Sequence, residues 1–83
     1  MNLVNIGFGN LVNADRVISV ISADSAPAKR IVQKGKESGT LIDATQGRKT
    51  NSVIITDSDN VILSYMDLKH IAERFSAEVS DGE

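Results

Sequence analysis

Apolar residues recur along the chain either in short runs, which favour β-strands, or at the 3.6-residue spacing of an amphipathic helix. Short runs rich in Val, Ile and Leu favour β-strands. A glycine turn at Gly7–Asn10 separates the first strand from a second pairing that starts at Leu11. The predicted strands are Leu3–Ile6, Arg16–Ser22, a strand that starts at Leu41, Ser52–Thr56 and Asn60–Tyr65.

The predicted strand Arg16–Ser22 is apolar on both faces. Strict alternation places Val17 and Ile21 on one face, and Ile18 and Val20 on the other. One face would pack on the core of the subunit. The other face then needs a second cover, for which another subunit is a candidate.

Between these strands the pattern predicts a helix from about Ala26 to Ser38. Ser25 is a good N-cap, Pro27 is tolerated in the first turn because its missing N–H costs nothing there, and Gly39 is a left-handed stop. Gly35 predicts either a close packing contact or a weak helix. Helical spacing puts Ala28, Ile31, Val32 and Gly35 on the inward face, and Lys29, Arg30, Lys34 and Lys36 on the opposite arc.

The last third of the chain predicts a β-hairpin around Asp57–Asp59 and a second helix. Asp67 is a suitable N-cap for that helix. Its inward stripe would consist of Leu68, Ile71, Ala72 and Phe75. The predicted class is α+β, with a small, mainly antiparallel sheet and two helices.

The length of 83 residues predicts one domain, residues 1–76, followed by a short, acidic and frayed tail at residues 77–83. The sequence has no cysteine, and it suggests no metal or cofactor. Self-association is then the usual remaining support for so small a core. The start of the chain lacks an export signal, and no apolar run is long enough to cross a membrane, so we expect a cytoplasmic protein.

Charge is distributed unevenly along the chain. The net charge is −2. Residues 16–49 nevertheless hold seven cations against three anions, a local charge of +4, whereas residues 50–83 have a charge of −5. One basic face and one acidic face are expected from such a distribution. The net acidity therefore does not exclude a polyanionic partner.

Motifs of enzymes and of nucleotide or calcium sites are incomplete in this sequence. His70 is the only histidine, and helical spacing puts it on an exposed face near Glu73 and Arg74. Asp57–Asn60 lacks the later residues of a calcium loop. Gly7-Phe8-Gly9 lacks a third glycine and a following helix, and Gly35-Lys36 lacks the Ser or Thr of a P-loop. No catalytic set is predicted.

The most informative segment is the turn Gly47-Arg48-Lys49, which lies between two apolar runs. Such a turn presents two adjacent cations, and Arg16 is expected to lie on the same surface. Cations gathered on one surface bind DNA phosphates. No aromatic residue lies near these cations in the sequence, which disfavours base stacking. The candidate DNA contacts are Arg16, Arg48 and Lys49, with Lys29, Arg30 and Lys34 as auxiliary phosphate contacts and Gly47 as a structural residue.

Several ordered segments resemble the RemA family of bacterial extracellular matrix regulatory proteins. They cover nearly the whole chain except the C-terminal tail. The segments are Asn5–Asn10, Ser25–Pro27, Leu41–Thr45 with Gly47 and Arg48, Asp57–Asp59, and Val61–Ser64.

The resemblance implies a DNA-binding transcriptional regulator, best known for activating biofilm-matrix genes. It also implies a homo-oligomeric ring of LytTR-like subunits, around which duplex DNA bends or wraps on repeated arginines. By position, those arginines match Arg16 and Arg48, and Pro27 matches a family position with a structural role in setting the first helix. Lys49 stands where the family commonly has a second arginine, and lysine keeps the charge but not the bidentate fork.

Two functional hypotheses remain at this point. In the first, an oligomeric ring binds the backbone of double-stranded DNA. In the second, an oligomeric interaction module uses its basic face to bind an acidic protein or another polyanion. The acidic last third of the chain is compatible with the second hypothesis.

Overall fold

The computed structural model describes residues 1–80, with side-chain burial described through residue 76. The strands are β1 (Leu3–Asn5), β2 (Leu11–Asn13), β3 (Val17–Ser22), β4 (Leu41–Asp43), β5 (Ser52–Thr56) and β6 (Val61–Ser64). The helices are α1 (Ala26–Ser38) and α2 (Leu68–Ser80), and a 3₁₀ turn, Ala14–Arg16, precedes β3. The predicted α+β class with two helices is confirmed.

The strands form two sheets. Strands β1 and β2 make an antiparallel ribbon, and the other four make a sheet with the order β3-β5-β6-β4. Pairing in this sheet is antiparallel except between β4 and β6, which run parallel. Helix α1 connects β3 to β4 and so crosses from one edge of the sheet to the other.

Both faces of the four-stranded sheet are covered within the chain. Helix α1 covers one face, where Ala28 packs on Val53, Val61 and Leu63. Helix α2 and the β1–β2 ribbon cover the other face, around a cluster formed by Ile6, Ala44, Ile54, Ile62, Met66 and Ile71. The ribbon and α2 therefore cover Val17 and Val20 of β3 within the subunit, whereas Ile18 stays exposed. Cover of β3 by a second subunit stays a prediction for Ile18 alone.

Strand β3 also departs from strict alternation. Its register against β5 shifts between Val17 and Ser19, as in a β-bulge. The extra residue, Ile18, is left 66% exposed. Val17 and Val20 consequently pack on the same cluster, although strict alternation would place them on opposite faces.

Helix α1 follows its sequence signals closely. Ser25 Oγ accepts a hydrogen bond from Ala28 N at 3.2 Å, and Gly39 ends the helix with φ = 77°. A Cβ atom at Gly35 would lie 3.4 Å from Val61 Cβ, so the helix approaches β6 closely at this point. Of the two alternatives that Gly35 predicted, the close packing contact is the one present.

Helix α2 is capped as predicted, but its buried stripe is narrower. Asp67 Oδ1 accepts a hydrogen bond from His70 N at 2.9 Å. Ile71 is buried and Phe75 packs on the core cluster, whereas Leu68 and Ala72 are exposed. The β1–β2 ribbon covers part of the same face of the sheet. Only Ile71 and Phe75 of the predicted stripe therefore pack on the core.

The predicted tail at residues 77–83 extends past the described part of the chain. The backbone of α2 continues to Ser80, and residues 81–83 lie outside the described residues. The boundary at residue 76 therefore stays a prediction. Neither α1 nor α2, as far as the chain is described, has the length and apolar character that a membrane crossing demands.

Candidate nucleic-acid interface

The turn that contains Arg48 connects two strands that are not neighbours. Strand β6 lies between β4 and β5, so residues 44–51 pass around the end of β6. Gln46 and Gly47 have left-handed backbones, with φ = 54° and 83°. Arg48 N donates a hydrogen bond to Thr45 O at 3.0 Å and closes the turn. Arg48 and Lys49 are both exposed.

A buried threonine anchors the base of this turn. Thr45 is 2% exposed, and its hydroxyl and backbone N–H donate to Asp43 Oδ1 at 2.6 and 2.9 Å. These two bonds, the hydroxyl bond first, lower the pKa of Asp43 below its ordinary value. They stabilise the turn above the unfolded-state pKa of about 3.9, and this stabilisation is lost as the pH falls through the lowered pKa.

Two aromatic rings lie beside Arg48. The Arg48 Cζ atom lies 5.8 Å from the ring centroid of Phe8 and 5.8 Å from that of Tyr65. The two rings are themselves 4.8 Å apart and tilted by 41°. These distances fit cation–π contacts and an aromatic pair. The expectation that no aromatic residue lies near the cations is wrong, because the fold brings Phe8 and Tyr65 to the turn from distant parts of the chain.

Phe8 reaches this position through an unusual loop between β1 and β2. Gly7, Phe8 and Gly9 all have positive φ angles, of 116°, 55° and 75°. Asn5 Oδ1 accepts a hydrogen bond from Gly7 N at 2.7 Å, and Asn10 Nδ2 donates to Gly7 O at 2.8 Å. A Cβ atom at Gly7 would overlap the Tyr65 ring, with Tyr65 Cδ1 at 2.9 Å. The absence of a side chain at Gly7 is what allows the loop to lie on Tyr65.

Lys49 lines a shallow groove between the turn and α1. The groove has a volume of about 400 Å³ and an apolar floor that includes Val53 and Leu63. Lys29 and Lys36 line the same groove, together with Asp24. Lys36 was not among the predicted contacts, although its position on the basic arc of the helix was the available signal.

The other predicted auxiliary cations do not join this groove. Lys34 lines a second groove with Gly35, Asp59 and Val61. Arg30 is exposed on α1 and lines neither groove. Of the three auxiliary candidates, the fold therefore brings only Lys29 close to the turn.

Arg16 lies away from the turn. It ends the 3₁₀ turn and does not start the strand, which begins at Val17. Its Nε is 2.8 Å from Asp57 Oδ2, and its backbone O accepts a hydrogen bond from Asp57 N at 2.8 Å. Because Val17 pairs with Thr56 while Ser22 pairs with Ser52, Arg16 and Arg48 lie at opposite ends of β5. A strand of that length spans about 15 Å, so Arg16 does not lie beside the Arg48 turn within one subunit.

His70 belongs to the cap of α2. Its Nδ1 lies 2.7 Å from Asp67 Oδ1, and both side chains are exposed. The backbone N–H and the ring of His70 lower the pKa of Asp67. Arg74 Nη1 donates to Asn5 O at 2.9 Å and so connects α2 to the ribbon. Capping accounts for the position of the histidine.

Similar proteins place the chain in a family. The family model of extracellular matrix regulatory protein A-like (RemA-like) proteins matches residues 3–75. A protein of Halothermothrix orenii is 58% identical over 78 residues, which cover 94% of this chain and 93% of its own length. A protein of Heliobacterium modesticaldum is 54% identical over 80 residues, with 96% and 88% of the two chains covered. A protein of Clostridium kluyveri is 52% identical over 83 residues, with 100% and 90% covered.

All three relatives have the name "Putative regulatory protein". The family match spans most of the chain, including the Phe8 loop, the Arg48 turn and Tyr65. Identity of this degree over almost the full length of each relative leaves no large unmatched part. The chain therefore belongs to the RemA-like family of extracellular matrix regulatory proteins.

Proposed function

We propose that this protein is a cytoplasmic, non-enzymatic regulator that binds double-stranded DNA as a homo-oligomeric ring of LytTR-like subunits. One observation carries the proposal. The Arg48 guanidinium is exposed on a closed turn and rests against two aromatic rings, with the cation Lys49 next to it. The regulatory names of the relatives agree with such a role.

The chemistry of the surface favours contacts with the DNA backbone. Arg48 and the lysines of the adjacent groove offer positive charge and N–H donors, which suit phosphate oxygens. A few phosphate contacts from each subunit give weak binding. Copies arranged in an oligomer act together, since the first contact raises the effective concentration of the others.

Exposed apolar side chains on both edges of the four-stranded sheet support self-association. Ile18 on edge strand β3 is 66% exposed, and Ile42 on edge strand β4 is 46% exposed. An edge strand has unpaired backbone N–H and C=O groups that can pair with another strand. A contact of β3 in one subunit with β4 in the next is head-to-tail, and head-to-tail contacts generate rings when the rotation closes.

Light scattering and a salt titration test this proposal. We expect one discrete mass larger than the 8.9 kDa subunit. The logarithm of the affinity for duplex DNA should fall linearly with the logarithm of salt concentration, by about 0.9 for each phosphate contact. A monomer in solution, or no duplex binding at low salt, would contradict the proposal.

The groove lined by Lys29, Lys36 and Lys49 favours a second candidate function, the binding of an acidic protein. Its apolar floor and basic rim also suit an acidic peptide segment of another protein. Poly-glutamate is the discriminating competitor in the same assay. Displacement of poly-glutamate by duplex DNA at equal charge concentration supports the DNA function, whereas poly-glutamate binding without duplex binding supports the second candidate.

Asp57→Asn tests whether Arg16 contacts DNA. The substitution removes the carboxylate that pairs with Arg16 at 2.8 Å and leaves the guanidinium available to phosphate. Exposed ion pairs are weak, so we expect about two- to five-fold tighter duplex binding at low salt. Asp59→Asn, a change of the same charge in the same hairpin, is the control. Equal affinity gains in both variants would mean that only general repulsion was removed.

A further inference from the structure

The position of Phe8 is not explained by core packing. The residue is 44% exposed, although it is one of only two phenylalanines in the chain. It belongs to neither buried cluster of the described residues. Its φ of 55° is unfavourable for a bulky residue. Strain of this kind persists only where the surroundings impose it, and it is common at functional sites.

Phe8 lies next to Tyr65 and Arg48. The loop is held on Tyr65 by the glycine at position 7, and its hydrogen bonds connect it to the base of the turn, where Asn10 Nδ2 lies 3.5 Å from Ala44 O. The Phe8 ring is thus placed 4.8 Å from the Tyr65 ring and 5.8 Å from Arg48 Cζ.

The Arg48 side chain needs a contact that restricts its conformation. An arginine on an exposed turn has many rotamers, and binding a phosphate requires one of them. Among the described side chains of residues 1–76, the contacts between basic and acidic groups are those of Arg16 with Asp57 and of His70 with Asp67, so no carboxylate described there holds the Arg48 guanidinium. Stacking on aromatic faces restricts the guanidinium and leaves the N–H groups in its plane available as donors.

We propose that Phe8 is a positioning residue that, together with Tyr65, holds the Arg48 guanidinium ready for an anionic ligand. This inference rests on the proposed DNA-binding function for the identity of that ligand, but not for the contact itself. Phe8 acts through Arg48 and does not itself contact DNA.

A double-mutant cycle with Phe8→Leu and Arg48→Ala tests the proposal. Leucine is apolar and has the same difficulty with a positive φ, so the substitution removes mainly the aromatic face. We expect Phe8→Leu to weaken duplex binding about three-fold, the scale of one exposed cation–π contact. In the Arg48→Ala background the same substitution should have no further effect. An equal loss in both backgrounds would overturn the proposal, because Phe8 would then contact DNA or act through the fold.

A measurement without DNA separates this proposal from the function it rests on. The Cδ protons of Arg48 should show an upfield ring-current shift in the NMR spectrum of the wild type. We expect Phe8→Leu to reduce that shift and Tyr65→Phe, which keeps the ring, to preserve it. If wild type fails to bind duplex DNA, the proposed function fails, while a shift that Phe8→Leu removes still supports the positioning role. A shift that is absent from wild type, or unchanged in Phe8→Leu, overturns it.

Discussion

Arg48→Ala is expected to weaken duplex DNA binding at least ten-fold at low salt. The substitution removes the exposed guanidinium that lies beside Phe8 and Tyr65 in every copy of the proposed oligomer. Removing one phosphate contact should reduce the slope of log affinity against log salt by about 0.9. Because each engaged subunit contributes one such contact, the total reduction gives the number of subunits that touch DNA at once.

Two variants control this experiment. Lys69→Ala removes one charge from exposed α2, outside the grooves that contain Arg48 and Lys49, and should leave the slope unchanged. Arg48→Lys keeps the charge but loses the planar fork, so we expect an intermediate affinity with a nearly normal slope. An unchanged slope in Arg48→Ala, with the oligomer intact, would count decisively against Arg48 as a DNA contact.

Gly7→Ala should destabilise the fold by about 2–4 kcal/mol. Alanine is strained at φ = 116°, and its Cβ would overlap the Tyr65 ring. The total stability of a small domain is about 5–15 kcal/mol, so this loss is a large fraction of it. Urea denaturation measures the change at a fixed subunit concentration, so that the proposed association contributes equally in every variant.

Gly9→Ala is the matched control for Gly7→Ala. Gly9 lies in the same loop with φ = 75°, and nothing lies within 4 Å of its added Cβ. Only backbone strain is then expected, at about 1 kcal/mol. The difference between the two variants isolates the overlap with Tyr65. Equal losses of stability would contradict the close contact between the loop and that ring.

Local signals in the sequence predicted the elements well. The cap at Ser25 and the stop at Gly39 defined α1, and both are confirmed. The hairpin from β5 to β6 is confirmed as well. The cap, the helix stop and the hairpin depend on groups only a few residues apart, so their energetics follow from a short segment. The contact at Gly35 is with Val61, and the sequence indicated only that a glycine in a helix needs a reason.

The spatial arrangement of the candidate site was less predictable. Alternation failed in β3 because a bulge at Ile18 changes which residues share a face. Arg16 and the Arg48 turn were expected together, but the register between β3 and β5 places them at opposite ends of a strand. Most of the cover that a second subunit was expected to give β3 comes from the chain itself, although Ile18 stays exposed.

By itself the sequence determined the helices, the hairpin, the exposed turn with its two cations and the resemblance to the family. Only the tertiary structure decided what surrounds Arg48, since Phe8 and Tyr65 come from separate parts of the chain. The physical reason is the range of the interactions. Caps, turns and periodicity act between residues that are close in the sequence. The aromatic contacts of Arg48 depend instead on the strand order and on how the Gly7 loop packs on Tyr65, the residue that follows β6.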